Sequence, residues 1–245
     1  FGAIGDYAHG GRGIKVISAL AMTEAKGVPL GLLHQEWWTR PKTKPKLSAK
    51  KKRGRAVDEK ETQRWIDAIN GSVSELKRQA PNTRAWFHID REGDSTPILL
   101  ALKATGEAFT VRGNWDRKVE QNLGTLRRKL NYSANRGSYE LDVSGGPKRT
   151  ARTATMSVRY EAVTLKLKDP ETGAPISLAV TAVLARESST APEGEERIDW
   201  LLLTNVAVNS IDDALAVIAG YAKRWRIEEF HKTWKSGACN VEENQ

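Results

Sequence analysis

Cysteine is almost missing from this chain: its 245 residues include one, Cys239. A single thiol cannot close a disulfide within the chain or build a cysteine-based zinc site, so a reducing, cytoplasmic setting is expected. Histidine is scarce too. His9, His34, His88 and His231 show no HxxxH or comparable ligand spacing, which argues against a histidine zinc centre. No apolar run approaches the roughly 20 residues that span a bilayer, and the opening FGAIGDYAHGG has neither a basic start nor an apolar signal core. No membrane partner is expected. Acidic residues are in the minority, 30 Asp and Glu against 39 Lys and Arg. The resulting charge of +9 and pI near 9.6 favour a polyanionic partner such as nucleic acid.

What is present is long enough for an enzyme core, in one large domain or two modest ones. The chain opens on Phe1 rather than methionine, and a fragment or processed piece is expected. GIKVISALAM and VPLGLLHQEWW, separated by a turn at Lys26 and Gly27, predict a β-hairpin. The stretch from Arg40 to Arg55 is rich in prolines and bases with no acid, and predicts an exposed loop, either solvated or touching phosphates nonspecifically. Trp37 and Trp38 before it are expected to pack. Helical spacing of Trp65, Ile66, Ile69, Val73 and Leu76 predicts a helix from Asp58 to about Gln79, closed by Pro81. TRAWFHID predicts a strand in which Arg84, Trp86, His88 and Asp90 face one way and Ala85, Phe87 and Ile89 the other. From about Gly106 to Thr204 short β-type runs alternate with glycine and proline turns, an all-β block. A long helix follows, with Ser210 as N-cap and Asp212 and Asp213 in its first turn. Strands, helix, strand, β-insert and helix suit a mixed α/β core interrupted by a large insertion.

Two places carry chemistry. Asp90 stands where a strand leaves the sheet, the position at which open α/β sheets gather ligands. The bland alternative for DREGD is an aspartate turn, with Asp94 capping the helix that follows. The second place is YAKRWRIEEFHKTWKSG, residues 221 to 237. At 100° per residue Tyr221, Arg224, Glu228, Lys232 and Lys235 share one stripe, and Ile227, Phe230 and Trp234 form an apolar stripe opposite. The bland alternative here is a solvated face, with Glu228 supported at i,i+4 spacing by Arg224 and Lys232. Asp90 and Glu228 would suffice for magnesium, which takes hard oxygen ligands and needs only one or two protein carboxylates.

The spacing Tyr221, Arg224, Glu228, Lys235 is Y-x2-R-x3-E-x6-K. It resembles the signature helix of the bacterial insertion-sequence DDE transposases named for those four letters. LGLLHQEWWTRP, HIDREGD and WLLLTN resemble further blocks of the same family in the same order, over about residues 1 to 240, closest to cut-and-paste members that form DNA hairpins. The resemblance implies a ribonuclease-H-like mixed sheet core with a β-rich insertion before the last catalytic helix. Its parts would be 1–105, the first part of the core, 106–205, the insertion, and 206–245, the signature helix. It further implies that Asp90 and Glu228 are catalytic and bind Mg²⁺ or Mn²⁺, and that Tyr221, Arg224 and Lys235 grip DNA phosphates; Lys232, on the same face one turn earlier, is expected to bind DNA with them. Trp200 would take a flipped base and Arg112 would contact DNA.

Partners implied are double-stranded DNA, both transposon ends and target, and a second copy of the full-length parent on that DNA. The family's first aspartate lies on a D-T-T-like strand upstream of the G-x-I-G-D segment at which this chain begins, and Asp6, in a glycine-rich loop, does not replace it. The chain alone is therefore expected to be inactive or nearly so. The alternatives are a non-catalytic DNA-binding remnant or transposition inhibitor, and a metal nuclease of the same fold that lacks the transfer step.

Overall fold

Residues 1–4, 11–43, 48, 55–120, 124–146 and 149–237 are described by the computed structural model. The expectations attached to Asp6, His9, Cys239 and most of the basic loop fall outside the described residues. Two short strands, β1 (Gly2–Ala3) and β2 (Arg12–Gly13), pair antiparallel. The expected hairpin follows, with β3 (Lys15–Met22) antiparallel to β4 (Pro29–Trp38). Its turn reverses at Gly27, whose φ of 63° lies in the left-handed region that glycine enters without a Cβ penalty.

Each face of this hairpin is covered by a different helix, because strand side chains alternate. One face meets α1 (Thr62–Gln79): Glu61, just before it, accepts hydrogen bonds from Arg40, from Trp38 Nε1 at 3.1 Å and from Lys15 Nζ at 3.0 Å, and Arg64 pairs with Glu36. The Arg40 hydrogen bond leads the causes that hold Glu61 at about 2, against the opposing pull of desolvation. The other face, through Ser18 and Trp37, meets α5 (Arg226–Ser236).

The main sheet has six strands in the order β5-β6-β10-β9-β8-β7. They are β5 (Trp86–Ile89), β6 (Ala108–Arg112), β7 (Gly137–Val143), β8 (Arg152–Lys168), β9 (Pro175–Glu187) and β10 (Asp199–Thr204). β5 and β6 are parallel, joined by α2 (Thr96–Thr105), and every other pairing is antiparallel. One face buries Phe109, Leu165 and Leu201 under Ile69 of α1, Leu99 of α2 and Leu130 of α3 (Leu126–Tyr132). The opposite face buries Val158, Val183 and Leu202 under Val217 and Tyr221 of α4 (Ile211–Ala222). Mixed α/β architecture is therefore observed. Among the described residues no helix is long and apolar enough to cross a membrane.

One feature differs from the sequence expectation. The stretch from 106 to 204 is not all-β: α3 interrupts it, with Leu126 and Leu130 four apart and both fully buried. Its first and last strands, β6 and β10, pair with each other directly beside β5. Period-two patterning marks a strand but not its partner, which is chosen by contacts about 90 residues apart in the chain, such as Leu203 with Val111.

The final helix begins as expected. Ser210 Oγ accepts from Asp213 N at 3.1 Å and Asp213 Oδ2 accepts from Ser210 N at 3.0 Å, a reciprocal cap. It is not one regular helix, however. A 3₁₀ turn at Lys223–Trp225 separates α4 from α5, at the point where the chain crosses from the main sheet to the hairpin.

Candidate metal and nucleic-acid site

Asp90 is the first residue beyond β5. It is extended, with φ −76° and ψ −176°, and its Oδ1 accepts from Glu92 N at 2.9 Å to start a 3₁₀ turn at Arg91–Gly93. The aspartate turn and the strand-end position thus coexist. Alternation along β5 runs as expected: Phe87 and Ile89 join the core beneath α2, while Trp86 and His88 face α4. Gly220 permits that approach, since a Cβ there would lie 2.8 Å from His88 Cε1. Burial, aided by the charge of Lys223, lowers His88 to about 4, so its imidazole is neutral at pH 7. In register, Ile89 stands beside Val111, so Asp90 and Arg112 occupy the next positions on adjacent strands. Arg112 is half-buried and its Nη2 lies 3.4 Å from Asp199 O.

Arg224 lies in the 3₁₀ turn between α4 and α5. Its Nη2 donates to Glu228 Oε1 at 2.8 Å; the Arg224 side chain is 16% exposed and that of Glu228 45%. Burial pulls the guanidinium down, but the hydrogen bond to Glu228 and the charges of Tyr221, Asp90 and Glu228 outweigh it and raise the pKa. Asp90 and Glu228, 138 positions apart in sequence, therefore act on the same cation. Arg224 Nε is buried without a hydrogen-bond partner, an orphaned charged donor that an incoming acceptor would satisfy.

The remaining predicted residues fall into two groups. Tyr221 is 2% exposed, in the core beneath α4, and half-buried Trp200 packs edge-on against it with ring centroids 5.6 Å apart. Lys232 and Lys235 are exposed on α5. Beside them His231, whose Nε2 lies 3.2 Å from Ser18 Oγ, is lowered by burial and by Lys235 and raised by Glu228, with a net lowering. The apolar stripe is half-buried as expected, and its Trp234 meets Trp37 edge-on at 5.0 Å. Of the two tryptophans expected to pack, Trp38 does so and bonds Glu61, while Trp37 touches Trp234 but stays 45% exposed.

One assignment is corrected. Asp94 does not cap α2; Ser95 takes that position. Asp94 instead accepts from Asn114 N at 2.7 Å, Trp115 N at 3.0 Å, and Arg117 Nε and Nη2 at 3.0 and 2.6 Å. A bidentate guanidinium is a stronger partner than a helix amide, and it decides where the carboxylate points. No signal local to DREGD could have revealed Arg117, more than 20 residues on.

No protein-family model matches the chain. Among the described residues no group of three or more His, Cys, Asp or Glu is clustered closely enough to hold a metal ion. What the fold offers is two carboxylates, Asp90 and Glu228, whose charges both act on the half-buried Arg224.

Proposed function

We propose that this chain is the catalytic-domain portion of an insertion-sequence DDE transposase with a ribonuclease-H-like core, whose full-length parent cleaves and rejoins DNA at transposon ends. The observation that supports this reading is that Arg224 donates to Glu228, from α5, at 2.8 Å, while the charge of Asp90, at the end of β5, acts on the same guanidinium from beyond hydrogen-bonding reach. Their hard oxygens suit Mg²⁺ or Mn²⁺, which completes its shell with water and substrate phosphate. Such an ion, when bound, supplies an activated water and neutralises phosphate charge. The chain's own contribution is to hold the strand: Arg224 through its orphaned Nε, and Arg112, Lys232 and Lys235 by added positive charge. β5 is the outermost strand of its sheet among the described residues. Its open edge could receive the strand on which the resemblance places a third carboxylate.

A second reading, DNA binding without chemistry in this chain alone, is favoured by the lack, among the described residues, of a cluster of three or more metal-ligating side chains, and by the pairing of Glu228 with Arg224. Both readings require phosphate contacts at the helix. Anisotropy of a fluorescein-labelled, hairpin-ended duplex across a salt series tests them. Arg224→Ala and Lys232→Ala are each expected to weaken binding and flatten the log–log salt slope by about one unit. Unchanged slopes in both variants would reduce the helix to a solvated surface. With Mg²⁺ added, an uncut labelled strand supports the binding-only description of this chain, and a cut strand contradicts it.

A further inference from the structure

One large aromatic at the Asp90 end of the main sheet packs against little, although its backbone is tightly held. Trp115 is 61% exposed. The loop that carries it is bonded at every residue: Gly113 N to Leu201 O at 2.6 Å, Asn114 N and Trp115 N to Asp94, Asp116 Oδ1 from Arg127 N at 2.8 Å, and Arg117 N to Trp115 O at 3.0 Å. Asp94 is itself fully buried and gripped by Arg117. A side chain presented from so constrained a backbone can bind without a cost of ordering the loop.

Its surroundings indicate what it would bind. Asp94 follows Asp90 by a single 3₁₀ turn, so the residue that anchors the Trp115 backbone is separated from the candidate metal ligand by about 8 Å of helical rise. Arg112 enters the same loop and exposed Lys118 leaves it. Beyond them Arg127 and Arg186 share one carboxylate, Asp199, at 2.8 and 2.9 Å, so two guanidinium charges meet one acid there. An apolar protein partner would want further apolar residues around the indole, but its chain neighbours are Asn114 and Asp116. A lone ring among cations is the composition of single-strand nucleic-acid sites, where bases stack on the aromatic and phosphates meet the cations.

We propose that Trp115 is a stacking platform for an unpaired nucleobase of a DNA strand whose phosphate lies at Arg224. This rests on the DNA-binding reading above, and the test separates the two. The 245-residue chain is titrated with a blunt duplex and with the same duplex bearing a two-nucleotide overhang that contains 2-aminopurine. Trp115→Ala is expected to weaken overhang binding about tenfold, to relieve quenching of the 2-aminopurine, and to leave blunt-duplex binding within about twofold. Trp115→Phe should retain most of the affinity, and both variants should melt as the native chain does, since the side chain is exposed. If Trp115→Ala leaves overhang affinity and quenching unchanged while Arg224→Ala weakens both duplexes, the platform is overturned and the DNA reading stands. If the native chain binds neither duplex, both are overturned.

Discussion

Asp94→Ala is expected to remove about 3 to 5 kcal/mol from the unfolding free energy, the range seen when one partner of a buried ion pair is deleted. The magnitude follows from burial. The Asp94 side chain is fully buried and that of Arg117 is 12% exposed. Deleting the carboxylate leaves the Arg117 guanidinium with only the Asp94 carbonyl, at 3.0 Å, and removes the acceptor of the amides of Asn114 and Trp115. Glu92→Ala, two residues earlier on an exposed side chain, serves as the control and should stay within about 0.5 kcal/mol. Urea unfolding followed by circular dichroism measures both. A loss below 1 kcal/mol for Asp94→Ala would show that water replaces the carboxylate and that the 113–117 loop is not clamped. A large loss also has a functional consequence, because the same clamp sets the position of Trp115 beside the strand end.

The second large effect is acid destabilisation through His88. Its pKa falls from an ordinary 6.5 to about 4 in the fold, because burial, with Lys223 nearby, opposes the imidazolium. Between those values the unfolded chain binds a proton that the folded chain refuses, so stability is full above pH 6.5 and falls as the pH drops towards 4. At 1.36 kcal/mol per unit the loss approaches about 3 kcal/mol for this one residue. His88→Gln removes the ionisation while keeping a polar side chain, and should flatten the pH 4 to 6.5 limb of the urea midpoint in metal-free buffer. A limb of equal depth in both proteins would assign acid lability to other groups, His231 first among them because burial lowers it too, with Glu61, at about 2, active only at lower pH.

Much of the local structure was legible because local physics fixes it. Gly27 with its left-handed φ marks the hairpin turn, Ser210 with Asp213 marks a helix start, and alternation from Arg84 to Asp90 sorts side chains between two cores. Asp90 at a strand end and Arg224 with Glu228 one helical turn apart could likewise be read from spacing. Their convergence could not, because it depends on α4 docking beside β5.

The helical wheel misplaced Tyr221 for a specific reason. A 3₁₀ turn advances about 120° per residue instead of 100°, so the three residues Lys223–Trp225 rotate α5 by about 60° relative to α4. Tyr221 therefore sits in the core while Glu228 reaches the surface. Asp94 was misread for a related reason. Any aspartate before a helix reads as a cap until a distant arginine is known. The continuity of β5, β6 and β10 depends on pairing over about 90 residues, which no window along the chain contains.

The central claim is that Asp90 and Glu228 share one divalent-cation site, and iron-directed backbone cleavage tests it most directly. Fe²⁺ substitutes for Mg²⁺ on oxygen ligands, and with ascorbate and peroxide it releases hydroxyl radicals that cut the chain where the ion sits. The expected result is a pair of cuts, near residue 90 and near residue 228, both competed by Mg²⁺ and both lost in Asp90→Ala and in Glu228→Ala. Cuts at neither place, or a cut near residue 90 that survives Glu228→Ala, would contradict a shared site.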